Sequence, residues 1–136
     1  MTTDSADTVR NFLELLAAQR ATEAVDLLDE EVDWRNTGLP TLRGAGRVGG
    51  VLRDMERRRI GFSAELHHVA SDGEVVLTER TDVIRYGRFE TAFWVCGTFR
   101  VREARIVLWH DHFSMGNVVA ASALGLARAA AGSLPR

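Results

Sequence analysis

Residues 76–84 read Val76-Leu77-Thr78-Glu79-Arg80-Thr81-Asp82-Val83-Ile84. They belong to a region, 61–114, in which side-chain character repeats with a period near two, as in β-strands. Turn signals divide this region at Asp72-Gly73, Tyr86-Gly87-Arg88 and Arg102-Glu103-Ala104. The pattern predicts a meander of four antiparallel strands at about residues 61–71, 74–86, 88–101 and 105–114.

The segments on either side of the meander have the period of helices. Apolar residues from Val9 to Leu28 recur every three or four positions, which predicts two amphipathic helices joined near Gln19 and Arg20. We expect a short strand at 32–36, a helix at 48–60, and a closing helix from Asn117 to Ala131 that Asn117 caps. Helices followed by a long antiparallel meander indicate the α+β class. The sequence leaves open whether the closing helix is a lid or a subunit contact.

Length and composition fit one domain over residues 1–136, with 1–7 flexible and 117–136 as closing helix and tail. Seventeen basic against 19 acidic residues give a net charge of −2, which is too balanced for a nucleic-acid partner. The single cysteine, Cys96, excludes an intramolecular disulfide. No secretory signal and no apolar run of about 18 residues is present, so we expect a cytoplasmic protein without a membrane partner.

Polar side chains on apolar strand faces are the candidate functional residues, because burying them unpaired is costly. Arg80 and Asp82 share a face with Val76 and Ile84, while Asp111 shares one with apolar neighbours. Asn36 shares a face with Val32 and Trp34 on the early strand, where its amide could orient water. Taken singly, each has an ordinary structural explanation. Arg80 and Asp82 could form an ion pair, while Asp111 could cap a turn and Asn36 could begin a loop. Together, two carboxylates flanking one guanidinium are suited to acid and base roles.

Other motifs are weaker. Gly44-Ala45-Gly46-Arg47-Val48-Gly49 matches G-x-G-x-x-G, but no parallel strand–helix–strand context surrounds it, so no dinucleotide cofactor is expected. The pairs His67, His68 and His110, His112 lack a well-spaced third ligand, so no metal is expected. Cys96 lies on an apolar strand and is expected to pack there rather than act as a nucleophile.

The sequence resembles the limonene-1,2-epoxide hydrolases, within the fold shared with nuclear transport factor 2, ketosteroid isomerase and polyketide cyclases. The resemblance covers about residues 8–115 and lies in three segments: Leu77 to Val83, Gly97 to Phe113, and Trp34-Arg35-Asn36. It implies a cone-shaped, mixed but mostly antiparallel sheet with helices on its concave face. It also implies a homodimer that hydrolyses a hydrophobic epoxide.

The mechanism that the resemblance implies has one step and needs no cofactor. Asp111 would be the general base, Asn36 would hold the attacking water, Asp82 would be the general acid and Arg80 would bridge both carboxylates. Trp34 stands where the family usually has a tyrosine that also holds the water. An indole N–H donates one hydrogen bond and accepts none, so Trp34 could replace that tyrosine only as a donor.

Two alternatives stay open at this point. One is an isomerase or a polyketide or steroid cyclase of the same fold, in which Trp34 would stack on the substrate. The other is a protein that binds an apolar ligand without catalysis, in which Arg80, Asp82 and Asp111 form a buried structural network.

Overall fold

The computed structural model describes residues 4–132, which form four helices and one six-stranded sheet. The elements, in chain order, are α1 Ser5–Ala17, α2 Ala21–Val25, β1 Leu28–Asn36, β2 Leu42–Arg43, α3 Ala45–Arg57, β3 Gly61–Asp72, β4 Val75–Tyr86, β5 Phe89–Arg102, β6 Arg105–His112 and α4 Met115–Gly132. The predicted α+β class and the four-strand meander are confirmed.

The sheet has the order β2-β1-β6-β5-β4-β3. All neighbouring strands are antiparallel except β1 and β6, which run parallel with Trp34 beside Trp109 and Asn36 beside Asp111. Glu103 and Ala104, both with positive φ, form the tight turn between β5 and β6. The mixed, mostly antiparallel sheet is therefore confirmed, and its one parallel pair brings the early strand against the last one.

Helices α1 to α3 cover one face of the sheet and enclose the apolar core. Val9 and Phe12 of α1 are fully buried, as are Val48 of α3 and Val76 and Phe99 of the sheet. Asp4 begins α1 as its N-cap and accepts a hydrogen bond from the Ala6 amide. Helix α1 thus begins at Ser5, inside the segment predicted to be flexible. Residues 1–3 and the tail 133–136 lie outside the described part of the chain.

The second helix is shorter than predicted. The helical spacing predicts that it reaches Leu28, but α2 ends at Val25 and Leu28 begins β1. Leu28 is the partner of Ile106 in β6, and both side chains are buried. Pairing with a distant strand outweighs the local helical pattern here, because it buries these two residues in the core.

The closing helix also differs from its prediction at its start. It begins at Met115, and Asn117 does not cap it; the Asn117 amide instead donates to Ser114 Oγ at 3.2 Å. The helix packs along the first part of β5, near Glu90 and Thr91. This part of β5 precedes Cys96, the first residue of β5 that pairs with β6. Gly125 permits this contact, because a Cβ there would collide with the Glu90 carbonyl. Within the described residues, no helix is long and apolar enough to cross a membrane.

Candidate active site

One row of strand partners crosses the sheet and organises the site. Asn36 of β1 pairs with Asp111 of β6, Asp111 with Gly97 of β5, and Gly97 with Thr78 of β4. Partners in register point their side chains to the same face, about 5 Å apart. Arg80 lies two residues beyond Thr78 and therefore projects from this same face. The three segments identified in the sequence thus meet at one place.

Arg80 is the centre of this cluster and is completely buried. Its Nε and Nη2 donate to Oδ1 and Oδ2 of Asp82 at 2.7 and 3.1 Å, and Nη2 also donates to Asp111 Oδ2 at 2.7 Å. Nη1 donates to Thr78 Oγ1 at 3.1 Å, and Thr78 donates to the Gly97 carbonyl at 3.4 Å. One guanidinium therefore fixes two carboxyl groups that are each only 5% exposed.

Gly97 leaves the space that the guanidinium occupies. A Cβ on Gly97 would lie 2.5 Å from Arg80 Nη1, 2.8 Å from Thr78 Oγ1 and 2.9 Å from Asp111 Oδ1. All three distances are shorter than real side-chain contacts. The residue between Asp111 and Thr78 in the row must therefore lack a side chain if Arg80 is to reach both carboxyl groups.

Asp111 is held by two donors on one oxygen only. Trp109, two residues earlier on the same face of β6, donates from Nε1 to Asp111 Oδ2 at 3.0 Å. The other oxygen, Oδ1, is buried and has no hydrogen-bond partner. Since an unpaired buried carboxylate oxygen is costly, Oδ1 marks the place where an additional donor is needed.

Trp109 itself is fixed by aromatic neighbours. Its ring stacks on Trp34 with centroids 4.4 Å apart and meets the Phe12 ring edge to face at 4.9 Å. Phe99 lies on a further side with centroids 6.3 Å apart. The indole is thus immobilised, and so is the hydrogen bond that it donates to Asp111.

Burial shifts the ionisation of both carboxyl groups in the same direction. It raises the pKa of Asp82 above its ordinary value, although the hydrogen bonds and charge of Arg80 oppose the shift. It likewise raises the pKa of Asp111, against the charge and hydrogen bond of Arg80 and the hydrogen bond of Trp109. For Arg80, burial lowers the pKa, but the charges and hydrogen bonds of Asp111 and Asp82 outweigh it and raise the pKa overall.

The charges therefore favour one proton on the carboxyl pair. With both carboxyl groups ionised and Arg80 protonated, the buried cluster would carry one net negative charge. A single proton on either carboxyl group makes the cluster neutral, which is the state that burial favours. The hypothesis of acid and base roles for Asp82 and Asp111 requires one protonated and one ionised carboxyl group in the same cluster.

Asn36 and Trp34 lie beside this cluster at the end of β1. The backbone around Asn36 is fixed by the next residue, because the Thr37 amide donates to the Asp111 carbonyl at 3.2 Å. The Phe113 amide in turn donates to Thr37 Oγ1 at 3.3 Å. Trp34 Nε1 is buried and, like Asp111 Oδ1, has no hydrogen-bond partner. The site thus contains one unpaired donor and one unpaired acceptor, both on residues that line the same cavity.

That cavity has a volume of about 180 Å³ and lies between the helices and the sheet. Its polar groups at the inner end are Asn36, Asp82 and Asp111, and no residue of α4 lines it. Helix α4 is therefore not a lid over this cavity. The walls are mainly apolar and are formed by Leu16, Ala21, Trp34, Leu52, Met55, Ile60, Phe62, Ile84, Phe93, Val95, Trp109 and Phe113.

The structure brings together all five residues singled out in the sequence. The predicted ion pair of Arg80 with Asp82 is present, but Asp111 is not a turn cap, since its side chain binds Arg80 and Trp109. Three contributors were not recognised in the sequence: Trp109 as a donor, Thr78 and Gly97. Trp109 carried a usable signal, because a buried indole N–H needs an acceptor and Asp111 follows two residues later.

The motifs that the sequence disfavoured have other roles in the structure. Gly44 is the N-cap of α3 and Gly49 lies within that helix. The preceding strand β2 is antiparallel to β1, so the dinucleotide-binding context is missing. The rings of His110 and His112 lie with centroids 3.9 Å apart and are tilted by 41° to each other. Both side chains lie on the face of β6 opposite to that of Asp111. Among the described residues, no group of three or more His, Cys, Asp or Glu side chains could hold a metal ion.

A family model described as the limonene-1,2-epoxide hydrolase catalytic domain matches residues 3–123. The chain belongs to the limonene-1,2-epoxide hydrolase family. It is 37% identical over 107 residues to the epoxide hydrolase EphG of Mycobacterium tuberculosis, covering 79% of this chain and 71% of that protein. Its class of activity is that of the family, epoxide hydrolysis.

Solved structures agree with this membership. An LEH-like epoxide hydrolase from M. tuberculosis superposes with a TM-score of 0.89 at 33% identity, covering 95% of this chain and 96% of the other. A more distant structure, described as a putative polyketide cyclase from Pseudomonas putida, has a TM-score of 0.74 at 14% identity, with coverages of 89% and 99%. An NTF2-like protein from Cytophaga hutchinsonii has a TM-score of 0.68 at 18% identity, with coverages of 84% and 93%. The last two show the shared fold alone.

Proposed function

We propose that this family member adds water to a hydrophobic epoxide in one step and releases a vicinal diol. The observation that carries the proposal is Asp111 Oδ1, a buried carboxylate oxygen without a partner, next to Asn36 in an apolar cavity. A second carboxyl group, Asp82, lines the same cavity and is tied to the same arginine. A base, an acid and space for a substrate are therefore adjacent.

The base side of the reaction lies where β1 meets β6. Asn36 and Asp111 are strand partners, so a water molecule between their side chains would donate one proton to Asp111 Oδ1 and the other to the Asn36 amide oxygen. A lone pair of this water would face the cavity. As the new bond between water oxygen and epoxide carbon forms, the first proton passes to Asp111.

The acid side lies across the sheet on β4. Asp82 is the partner of Phe93 in β5 and lines the cavity beside that apolar wall. Burial raises its pKa, which favours a proton that it can give to the epoxide oxygen as the carbon–oxygen bond breaks. After one turnover Asp111 holds a proton and Asp82 has lost one, so a proton must pass from Asp111 to Asp82 before the next.

Arg80 stabilises both stages. It donates to both carboxyl groups throughout, so the charge that moves from Asp111 to Asp82 stays beside a buried cation. Thr78 and the Gly97 carbonyl hold the third nitrogen in place. Positioning of water against a strained ring and simultaneous acid assistance are the two contributions to the rate.

Trp34 is proposed as the second ligand of the attacking water. Its buried N–H lacks a partner and can donate to one lone pair of that water, leaving the other lone pair for the epoxide carbon. Its ring already stacks on Trp109, which fixes the direction of the N–H. In this role the indole replaces the donor function of the hydroxyl that the family usually has.

Variants of the two carboxyl groups test the assignment. Diol formation from cyclic terpene, styrene and steroid epoxides would be measured for the native chain, Asp111→Asn and Asp82→Asn, with circular dichroism to confirm folding. We expect both variants to lose turnover, because an amide neither accepts the water proton nor donates one to the oxygen. Near-native diol formation by a folded Asp111→Asn variant would disprove the role of Asp111.

We also propose a cytoplasmic homodimer that acts without a cofactor. The chain supplies both acid and base, a single cysteine suits a reducing compartment, and α4 exposes Val119, Leu124 and Leu126 as apolar side chains for a second copy. Sedimentation of the native chain and of a Leu126→Lys variant tests the dimer. A monomeric native protein would refute it.

A further inference from the structure

A second polar region lies in the same cavity, at the end away from Arg80. Gln19 and Glu56 line this end, where Gln19 is exposed and Glu56 is half-buried. The Gln19 amide nitrogen lies 4.0 Å from the position of a Cβ on Gly61, which is the strand partner of Arg85. Arg85 is three residues beyond Asp82 on β4, a distance of about 10 Å along the strand. The cavity therefore runs from the carboxyl pair to a polar mouth.

The backbone at Gln19 is held in an unusual conformation. Helix α1 ends with the Gln19 amide donating to the Leu16 carbonyl and the Arg20 amide donating to the Leu15 carbonyl, a Schellman arrangement. Gln19 has φ of +61°, a value for which glycine is the preferred residue. A residue with a side chain has a conformational cost at this φ. The Gln19 side chain places an amide group at the mouth of the cavity.

Glu56 is fixed at the same place by one of its oxygens. Its Oε2 accepts a hydrogen bond of 2.9 Å from the amide of Ala21, two residues after Gln19. In the part of the chain that the structure describes, no hydrogen bond or ion pair engages Glu56 Oε1 or the Gln19 amide group. The mouth therefore presents one fixed acceptor oxygen and one amide donor beside walls of Leu16, Met55, Ile60, Phe62 and Ile84.

We propose that Gln19 and Glu56 determine substrate specificity by binding a hydroxyl group at the far end of the epoxide substrate. A hydroxyl group fits this pair, because its proton would go to Glu56 Oε1 while its oxygen accepts from Gln19 Nε2. A carboxylate at the same end would be repelled by Glu56. The inference rests on the proposed function, since the other end of the substrate is the epoxide at Asp82 and Asp111.

Matched substrates test it through their relative kcat/KM. Three epoxides would share one medium-length alkyl tail that ends in a methyl, a hydroxymethyl or a carboxylate group. We expect the hydroxymethyl compound to exceed the methyl compound about tenfold, the effect of a typical pair of hydrogen bonds at a partly exposed site, and the carboxylate to be the poorest. A native enzyme with equal values for the hydroxymethyl and methyl compounds would overturn the inference.

Two variants assign the preference to these residues. Gln19→Gly keeps the backbone conformation, and Glu56→Gln keeps an oxygen for the Ala21 amide, so both are expected to fold. Each should bring the ratio of hydroxymethyl to methyl substrate towards one, while Asp54→Asn, an acid-to-amide change on the same helix away from the cavity, should leave the ratio unchanged. A native ratio in both cavity variants would contradict the assignment.

Product binding separates this inference from the proposed function. The affinities of the corresponding methyl-ended and hydroxymethyl-ended diols can be measured by tryptophan fluorescence whether or not any epoxide is turned over. Tighter binding of the hydroxymethyl-ended diol without epoxide turnover would contradict the hydrolase mechanism and retain the polar mouth. Equal affinities of the two diols together with rapid epoxide turnover would contradict the polar mouth and retain the hydrolase mechanism.

Discussion

Trp109 Nε1 donates to Asp111 Oδ2 at 3.0 Å, and this contact leaves Oδ1 as the oxygen of Asp111 that faces the reaction. Both residues lie on one face of β6, so the spacing of two along the strand produces the contact directly. A side chain that looks like ordinary aromatic core in the sequence therefore orients the proposed base.

Replacing Trp109 by Phe should make the base harder to ionise. The hydrogen bond from Trp109 lowers the pKa of Asp111, so its loss should move the acidic limb of the kcat/KM profile to higher pH. Phe12→Leu, which changes the packing around the same indole but removes no donor, is the control and should leave the limb in place. Equal profiles for Trp109→Phe and the native enzyme would show that the hydrogen bond does not tune Asp111.

The buried carboxyl pair should contribute less to the stability of the fold as pH rises. Burial raises the pKa of Asp82 and Asp111, so each carboxyl group binds its proton more tightly in the folded than in the unfolded state. This contribution is fully present below the ordinary carboxyl pKa and is lost as pH rises through the raised values. We therefore expect the free energy of unfolding, measured in urea at a series of pH values, to decrease less with rising pH for Asp82→Asn than for the native chain. Parallel curves would contradict the raised pKa of Asp82.

Gly97→Ala should disrupt the cluster around Arg80. The added methyl group would overlap the guanidinium and Asp111 Oδ1, so we expect a destabilisation of about 1–3 kcal/mol and a large loss of kcat. Gly50→Ala is the matched control, because nothing lies within 4 Å of a Cβ there and alanine favours the α3 helix by about 0.5–1 kcal/mol. Thermal unfolding and turnover of both variants check this. A native-like Gly97→Ala enzyme would show that the cluster does not need this space.

Trp34 can be tested by exchanging its hydrogen-bonding group. Trp34→Phe removes the donor and should lower kcat, whereas Trp34→Tyr supplies a hydroxyl that both donates and accepts and should restore or raise the rate. Steady-state kinetics on the best epoxide measures the difference. A Phe variant as fast as the native enzyme would exclude Trp34 from holding the attacking water.

The sequence predicted the meander well, because its strands combine a period of two with clear turn signals around Gly73 and Gly87. It failed at Leu28, where apolar spacing fits a helix as well as the beginning of a strand, and only the pairing with Ile106 decides. It also failed at Asn117, since Ser114 is equally able to begin a helix and occurs first.

The sequence predicts contacts of the site that lie within one strand. It does not predict the contacts that depend on how several strands pair. Arg80 and Asp82 are two residues apart, so their contact follows from strand geometry. The need for Gly97 depends on the register of β4, β5 and β6, which no local pattern contains. The polar mouth at Gln19 and Glu56 depends in the same way on the packing of α2 against α3, where the Ala21 amide at the start of α2 donates to Glu56.

The most direct test of the mechanism is a single turnover in water labelled with oxygen-18. The enzyme is in excess over an epoxide that it is known to hydrolyse. Direct attack by water predicts label in the diol formed in this first turnover, and the Asp111→Asn variant should form no diol under the same conditions. Unlabelled diol in the first turnover, with label entering the protein, would mean that a carboxylate attacks the epoxide first. That result would contradict the assignment of Asp111 as a general base acting on water.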